Sequence, residues 1–82
     1  MNEIIEFEIL SNYHIWLKFQ DGFEKVVNIK PLIGKGFTKE LLEDNNFSKV
    51  TIEPGGGLEW YNGYDICPNF LREMQEEKKH VA

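Results

Sequence analysis

Three groups of residues in the chain have types and spacings that could do chemistry: a run of glycines, a scatter of metal-competent side chains, and two acids set among aromatics. Gly55-Gly56-Gly57 follows Pro54, and consecutive backbone N–H groups can cradle an anion. A phosphate loop feeds the N-terminus of a helix, whereas Leu58-Glu59-Trp60-Tyr61 continues as a strand, so the glycines read as a hairpin turn. His14, His80, Asp65 and Cys67 could ligate a metal, but no two histidines or cysteines share a zinc-type spacing, and neither a metal nor another cofactor is expected. A nucleophilic pair of Cys67 with His14 would need tertiary proximity. Next to Pro68, Cys67 reads instead as a small buried thiol at a helix start.

Glu59 and Asp65 are flanked by Trp60, Tyr61 and Tyr64, surroundings that can raise a carboxylate pKa into the general-acid range. A solvent-facing strand glutamate and a helix-capping aspartate, three residues before Pro68, account for both without catalysis. No catalytic residue is assigned and the chain is not expected to be an enzyme. Aromatics dominate binding hot spots, so the same stretch also reads as a recognition surface, with Trp60 itself directed to the core. Trp16, Trp60, Tyr61, Tyr64 and Asp65 are therefore the candidate interaction or structural residues.

These residues need a scaffold, and the hydrophobic pattern supplies one. Ile5, Phe7 and Ile9 alternate with Glu6 and Glu8, and Tyr13, Ile15, Leu17 and Phe19 resume the same period, which is that of half-buried strands. Asp21-Gly22 then marks a two-residue hairpin turn into a third strand over 23–29. That turn pairs Lys18 with Lys25, Leu17 with Val26 and Trp16 with Val27, leaving Trp16, Phe23, Val27 and Ile29 on a second face for a helix or another subunit to cover. After Pro31, Thr38 reads as the N-cap of a short helix, with Phe37 and Leu42 as its staple. Asp44-Asn45-Asn46 ends that helix. Val50 to Ile52 and Leu58 to Trp60 form a further hairpin, and Pro68 opens a C-terminal helix with Phe70, Leu71 and Met74 on one stripe and Glu73, Glu76, Glu77, Lys78 and Lys79 toward water. The expected fold class is α+β: a small antiparallel sheet of four or five strands, one short helix and a packed C-terminal helix, in a single domain spanning residues 1–82.

Composition bounds the function. A chain of 82 residues supports one modest core, and eleven aromatics in 41% hydrophobic residues are enough to fill it without disulfides. A single cysteine excludes an internal bridge, and no apolar run approaches a membrane span, so a cytoplasmic location is expected. Net charge is −5, which opposes a phosphate backbone, so no nucleic acid is expected to bind the chain by itself.

Taken in order, Leu17-x-Phe19-x-Asp21-Gly22, Val26-Val27-Asn28-Ile29-x-Pro31-Leu32, Phe47, Leu58-Glu59-Trp60 and Gly63-x-Asp65-Ile66-x-Pro68 resemble the bacterial domain-of-unknown-function 2442 family over nearly the whole chain. Asn28 stands where that family usually has aspartate. The resemblance implies an antiparallel sheet with flanking helices, similar to the N-terminal domain of proteins whose second part is a helix-turn-helix. The residues after Leu71 are too few to hold such a motif. It also implies association with another small protein, in the manner of toxin–antitoxin pairs. The expectation is a protein-binding or regulatory module, antitoxin-like, with a protein partner or a second copy of itself. The alternative is a small-ligand binder or small enzyme using the Trp60 to Asp65 region.

Overall fold

The computed structural model of the protein describes residues 2–75. The alternating segments form strands β1 (Ile4–Ile9), β2 (His14–Phe19) and β3 (Glu24–Asn28), antiparallel in the order β1-β2-β3. A second antiparallel sheet, in the order β4-β5-β6, is made of β4 (Val50–Ile52), β5 (Leu58–Trp60) and β6 (Asp65–Ile66). Two three-stranded sheets thus replace the single sheet expected. Pro31 closes β3 inside a 3₁₀ turn, Lys30–Leu32, and the longer 3₁₀ helix Gly36–Leu42 and the one-turn helix α1 (Asp44–Phe47) carry the chain off the first sheet before β4 begins. One hydrophobic cluster nevertheless joins the sheets: Ile15, Leu17, Phe19, Val27 and Ile29 from the first meet Leu58, Trp60 and Ile66 from the second, with Leu41, Phe47 and Leu71 between. Each fully buried side chain of this kind contributes about 1.5 to 3 kcal/mol.

Three hairpins share one loop geometry. The Phe19 N–H donates to the Phe23 carbonyl and the Gly22 N–H to the Phe19 carbonyl, both at 2.8 Å, so the loop is Gln20-Asp21-Gly22 rather than Asp21-Gly22 alone. The same pair of bonds closes Glu53 to Gly57 and Trp60 to Tyr64. In each loop the third residue is glycine at φ +93 to +95, Gly22, Gly56 and Gly63, the left-handed position that follows a type I turn in a three-residue hairpin.

The extra loop residue moves the β2–β3 register by one, which turns every β3 side chain over. Lys18 lies opposite Glu24, Leu17 opposite Lys25 and Trp16 opposite Val26. Val27 and Ile29 join Ile15, Leu17 and Phe19 in the core, while Val26 shares the outer face with Trp16. In β1 a bulge between Ile4 and Glu6 leaves Ile5 exposed and turns Ile4 inward, so Ile5 does not share a face with Phe7 as its alternation suggested.

Lys25 is only 4% exposed. Its Nζ donates to the carbonyls of Leu71 and Arg72, each at 2.9 Å, and to that of Met74. These carbonyls end helix α2 (Pro68–Glu73), where no intrahelical donor remains and the helix dipole is negative. Arg72 reinforces the junction: its guanidinium forms two bonds to the Asp21 carboxylate, at 3.0 and 3.1 Å, and stacks 4.3 Å from the Phe23 ring. Pro68 opens α2 as expected and Leu71 is fully buried, but Phe70 is half exposed. With only six residues, α2 turns one position squarely inward, and Phe70 falls off that line. Residues 76–82, including His80 and the expected polar stripe from Glu76 to Lys79, lie outside the described residues.

Lys25→Ala should cost about 2 to 4 kcal/mol, because it strips the donor from buried helix-end carbonyls. Lys18→Ala, on the outer face, should cost less than about 0.5 kcal/mol, and Leu71→Ala about 2 to 4 kcal/mol. Equal urea midpoints for the two lysine variants would refute the register. A second expectation concerns pH. The Arg72 guanidinium, with the Phe23 N–H, holds the Asp21 carboxyl below its ordinary value of 3.8. The unfolded chain therefore takes up the proton first, and the stabilisation is present above 3.8 and lost as pH falls through the depressed value. In urea titrations, Asp21→Asn should be less stable than the parent at neutral pH and converge with it in acid; a gap independent of pH would exclude the ion pair as its cause.

Candidate functional site

The segment between the sheets builds an open groove of about 710 Å³, lined by Phe37, Lys39, Glu40, Leu42, Glu43 and Asn46 among others. Its backbone is set by Thr38, which is buried at the third position of the 3₁₀ helix, where its hydroxyl serves a capping box, rather than at the N-cap, which is Lys35. The Thr38 hydroxyl donates to the Lys35 carbonyl at 2.6 Å and accepts from the N–H groups of Gly34 and Lys35. Those bonds satisfy the entry turn, and Leu41, fully buried, anchors the helix from below. Asp44 to Asn46, expected as a helix end, instead begins α1. The Asn46 amide donates to the Glu40 carbonyl at 2.9 Å and closes the far side of the groove.

The β5–β6 loop locks onto the same helix. The Asn62 amide donates to the Phe37 carbonyl at 2.9 Å and to the Glu40 carboxylate at 3.0 Å. Tyr64 meets the Phe37 ring edge-on at 6.0 Å, and Trp60, Phe47 and Tyr13 continue a row of aromatic contacts into the core. Phe37 is 60% and Tyr61 50% exposed. The Lys49 ammonium lies 5.2 Å from the centre of the Tyr61 ring. Loss of hydration raises the Tyr61 hydroxyl pKa, helped by a hydrogen bond to Glu40 and the negative charges of Glu40 and Glu43. Burial, followed by the charge of Asp65, does the same at Tyr64.

Of the residues singled out in the sequence, Tyr61 and Tyr64 are gathered beside the groove, and Trp60 is buried behind them with its indole N–H on the Phe47 carbonyl at 2.8 Å. Trp16 stands on the outer face of the first sheet, its indole N–H 3.2 Å from the Glu24 carboxylate. Asp65 does not cap α2. Cys67 is the N-cap residue and no side chain bonds there, while Asp65 is exposed in β6, a strand too short to show a period, directly opposite Glu59. Cys67 is exposed rather than buried. His14 bonds through Nδ1 with the Asn12 carbonyl, and no group of three or more metal-competent side chains occurs among the described residues.

The triple glycine is a hairpin turn, and it does form an anion cradle, but for the chain's own carboxylate: Glu53 accepts from Gly55 at 2.7 Å and from Gly57 at 3.1 Å. A Cβ on Gly57 would fall 2.3 Å from the Ile66 carbonyl oxygen, so glycine there also lets β6 approach. Sequence reasoning missed Phe37, Glu40 and Glu43 as groove residues and Asn62 as the residue that holds two of them. Asn62-Gly63 is a residue pair that favours a turn, but the reach of Asn62 to residues 37 and 40 is a tertiary fact without local signal.

A family described as "Protein of unknown function (DUF2442)" matches residues 4–76. The chain belongs to the DUF2442 family. Neither a curated protein nor a solved structure matches it. At the position where the family resemblance leads one to expect aspartate, the Asn28 side-chain oxygen of this DUF2442 chain accepts from the Lys30 N–H at 3.1 Å, a turn that a carboxylate would also make.

Because Asp65 faces Glu59 across a strand pair instead of capping a helix, its removal relieves like-charge repulsion. Asp65→Ala should change stability by no more than about 0.5 kcal/mol, with an increase favoured at low salt. Thermal unfolding at two ionic strengths tests this, and a loss near 1 kcal/mol, typical of a missing cap, would contradict the pairing.

Proposed function

We propose that this DUF2442 chain is a non-enzymatic protein-binding or regulatory module whose binding face is the groove lined by Phe37, with Tyr61 beside it. The observation that carries the reading is the exposure of these two large aromatics, 60% and 50%, on a surface held rigid by Asn62 and the row of rings behind it. Aromatic anchors dominate binding hot spots, and a pre-organised surface loses less conformational entropy when it binds. Net charge −5 favours a protein partner over nucleic acid, which suits an antitoxin-like role against a basic partner. A single cysteine supports action in the cytoplasm, and among the described residues no helix is long and apolar enough to cross a membrane. The small-ligand or enzymatic reading of Trp60 to Asp65 has less support, since Trp60 is 1% exposed and its ring is spent on the core.

Photo-crosslinking in native cells tests the proposal. A crosslinking phenylalanine analogue at position 37 should capture a discrete protein, identified by mass spectrometry, that binds the purified chain and is lost on combined Phe37→Ala and Tyr61→Ala substitution. The same analogue at position 16 should capture nothing comparable. Capture confined to position 16 would move the binding face to the first sheet and end this assignment.

A further inference from the structure

We infer that the groove receives an arginine, presented beside apolar residues by a segment of a protein partner; this rests on the binding face proposed above. The chain builds the receptor for a guanidinium twice. The first is occupied: Asp21 accepts two bonds from Arg72, whose planar group stacks near the rings of Phe19 and Phe23, at 5.0 and 4.3 Å from their centres. In the second, Glu40 and Glu43 stand on the wall of the groove with the Phe37 ring, and Leu42 supplies apolar surface. Glu40 is pre-oriented, because the Asn62 amide donates to one of its oxygens at 3.0 Å.

Among the described residues no cation pairs with the carboxylates of this second receptor. Arg72 is the only arginine in the sequence and is committed to Asp21. Among the described residues no lysine makes a salt bridge with Glu40 or Glu43; Lys39 shares the lining, and Lys49 is placed over Tyr61. Two carboxylates against one ammonium leave the lining negative, complementary to a basic segment. A guanidinium suits the site better than an ammonium, since it can stack on Phe37 and bond a carboxylate through a planar fork at once. The apolar wall at Leu42 accounts for a segment rather than a free amine, because an isolated cation would leave that surface uncovered.

The test uses the full chain and a fluorescein-labelled synthetic peptide of alternating arginine and leucine, followed by anisotropy and by amide shift mapping. The arginine peptide should bind with shifts centred on Phe37, Glu40, Glu43 and Tyr61, and its lysine counterpart several-fold more weakly. Glu40→Gln with Glu43→Gln should weaken binding about ten-fold, and glutamine keeps the Asn62 acceptor so that the fold is retained. The pair Glu6→Gln and Glu8→Gln, exposed on β1, should leave affinity unchanged. Equal losses in both double variants, equal affinity for the lysine peptide, comparable binding of free arginine amide, or no binding would each overturn the inference. A partner captured at position 37 that presents no arginine would overturn it too, while leaving the protein-binding reading intact.

Discussion

Lys25 takes an ammonium out of water, which is costly unless it meets hydrogen-bond acceptors, and its acceptors include the carbonyls that α2 cannot bond internally. A six-residue helix has too few internal bonds to persist alone, so α2 depends on being capped by Lys25 and pinned by Leu71. Much else follows from that anchor. β6 is two residues long and one residue separates it from α2; with α2 fixed after it and β5 paired beside it, Asp65–Ile66 is held in place. The loop that precedes β6 contains Asn62, whose amide positions Phe37 and Glu40. A buried lysine on the first sheet is thus linked, through α2 and β6, to the surface that we assign to binding.

The periodic parts of this architecture were legible and the tertiary parts were not. Alternation over Tyr13 to Phe19 identifies β2 because one face of it is wholly buried and the other is not. Asp21-Gly22 marks its turn correctly, but the pair fits the last two positions of a three-residue loop as well as the centre of a two-residue one. That single residue decides whether Lys25 or Val26 faces the core, and only the presence of α2's carbonyls makes a lysine acceptable there. Trp60 as core and Pro68 as a helix start were readable from local chemistry. The groove was half legible: Tyr61 and Tyr64 stood out as clustered aromatics, whereas Phe37 and Glu40 acquire their meaning from hydrogen bonds to Asn62 that span 25 and 22 residues.

The β1–β2 loop departs from the glycine rule of the other three hairpins. Asn12 and Tyr13 both adopt left-handed backbone, at φ 59 and 64, which costs roughly 1 to 2 kcal/mol for a residue with a Cβ. Tyr13 is held there because its hydroxyl donates to the Leu42 carbonyl and its ring packs edge-on against Phe47 at 5.2 Å. Glycine would relieve the backbone but could make neither contact.

Leu42 lines the groove, so this strained tyrosine braces it from the first sheet while Asn62 and Tyr64 brace it from the second. A surface supported from two sheets resists collapse when its aromatics are exposed, and Phe37 rests edge-on against Tyr64 at the outer end of a row of rings. Exposed aromatic area is normally removed by inward packing. Here the scaffold opposes that collapse, which keeps Phe37 and the Glu40 carboxylate presented together before any partner arrives.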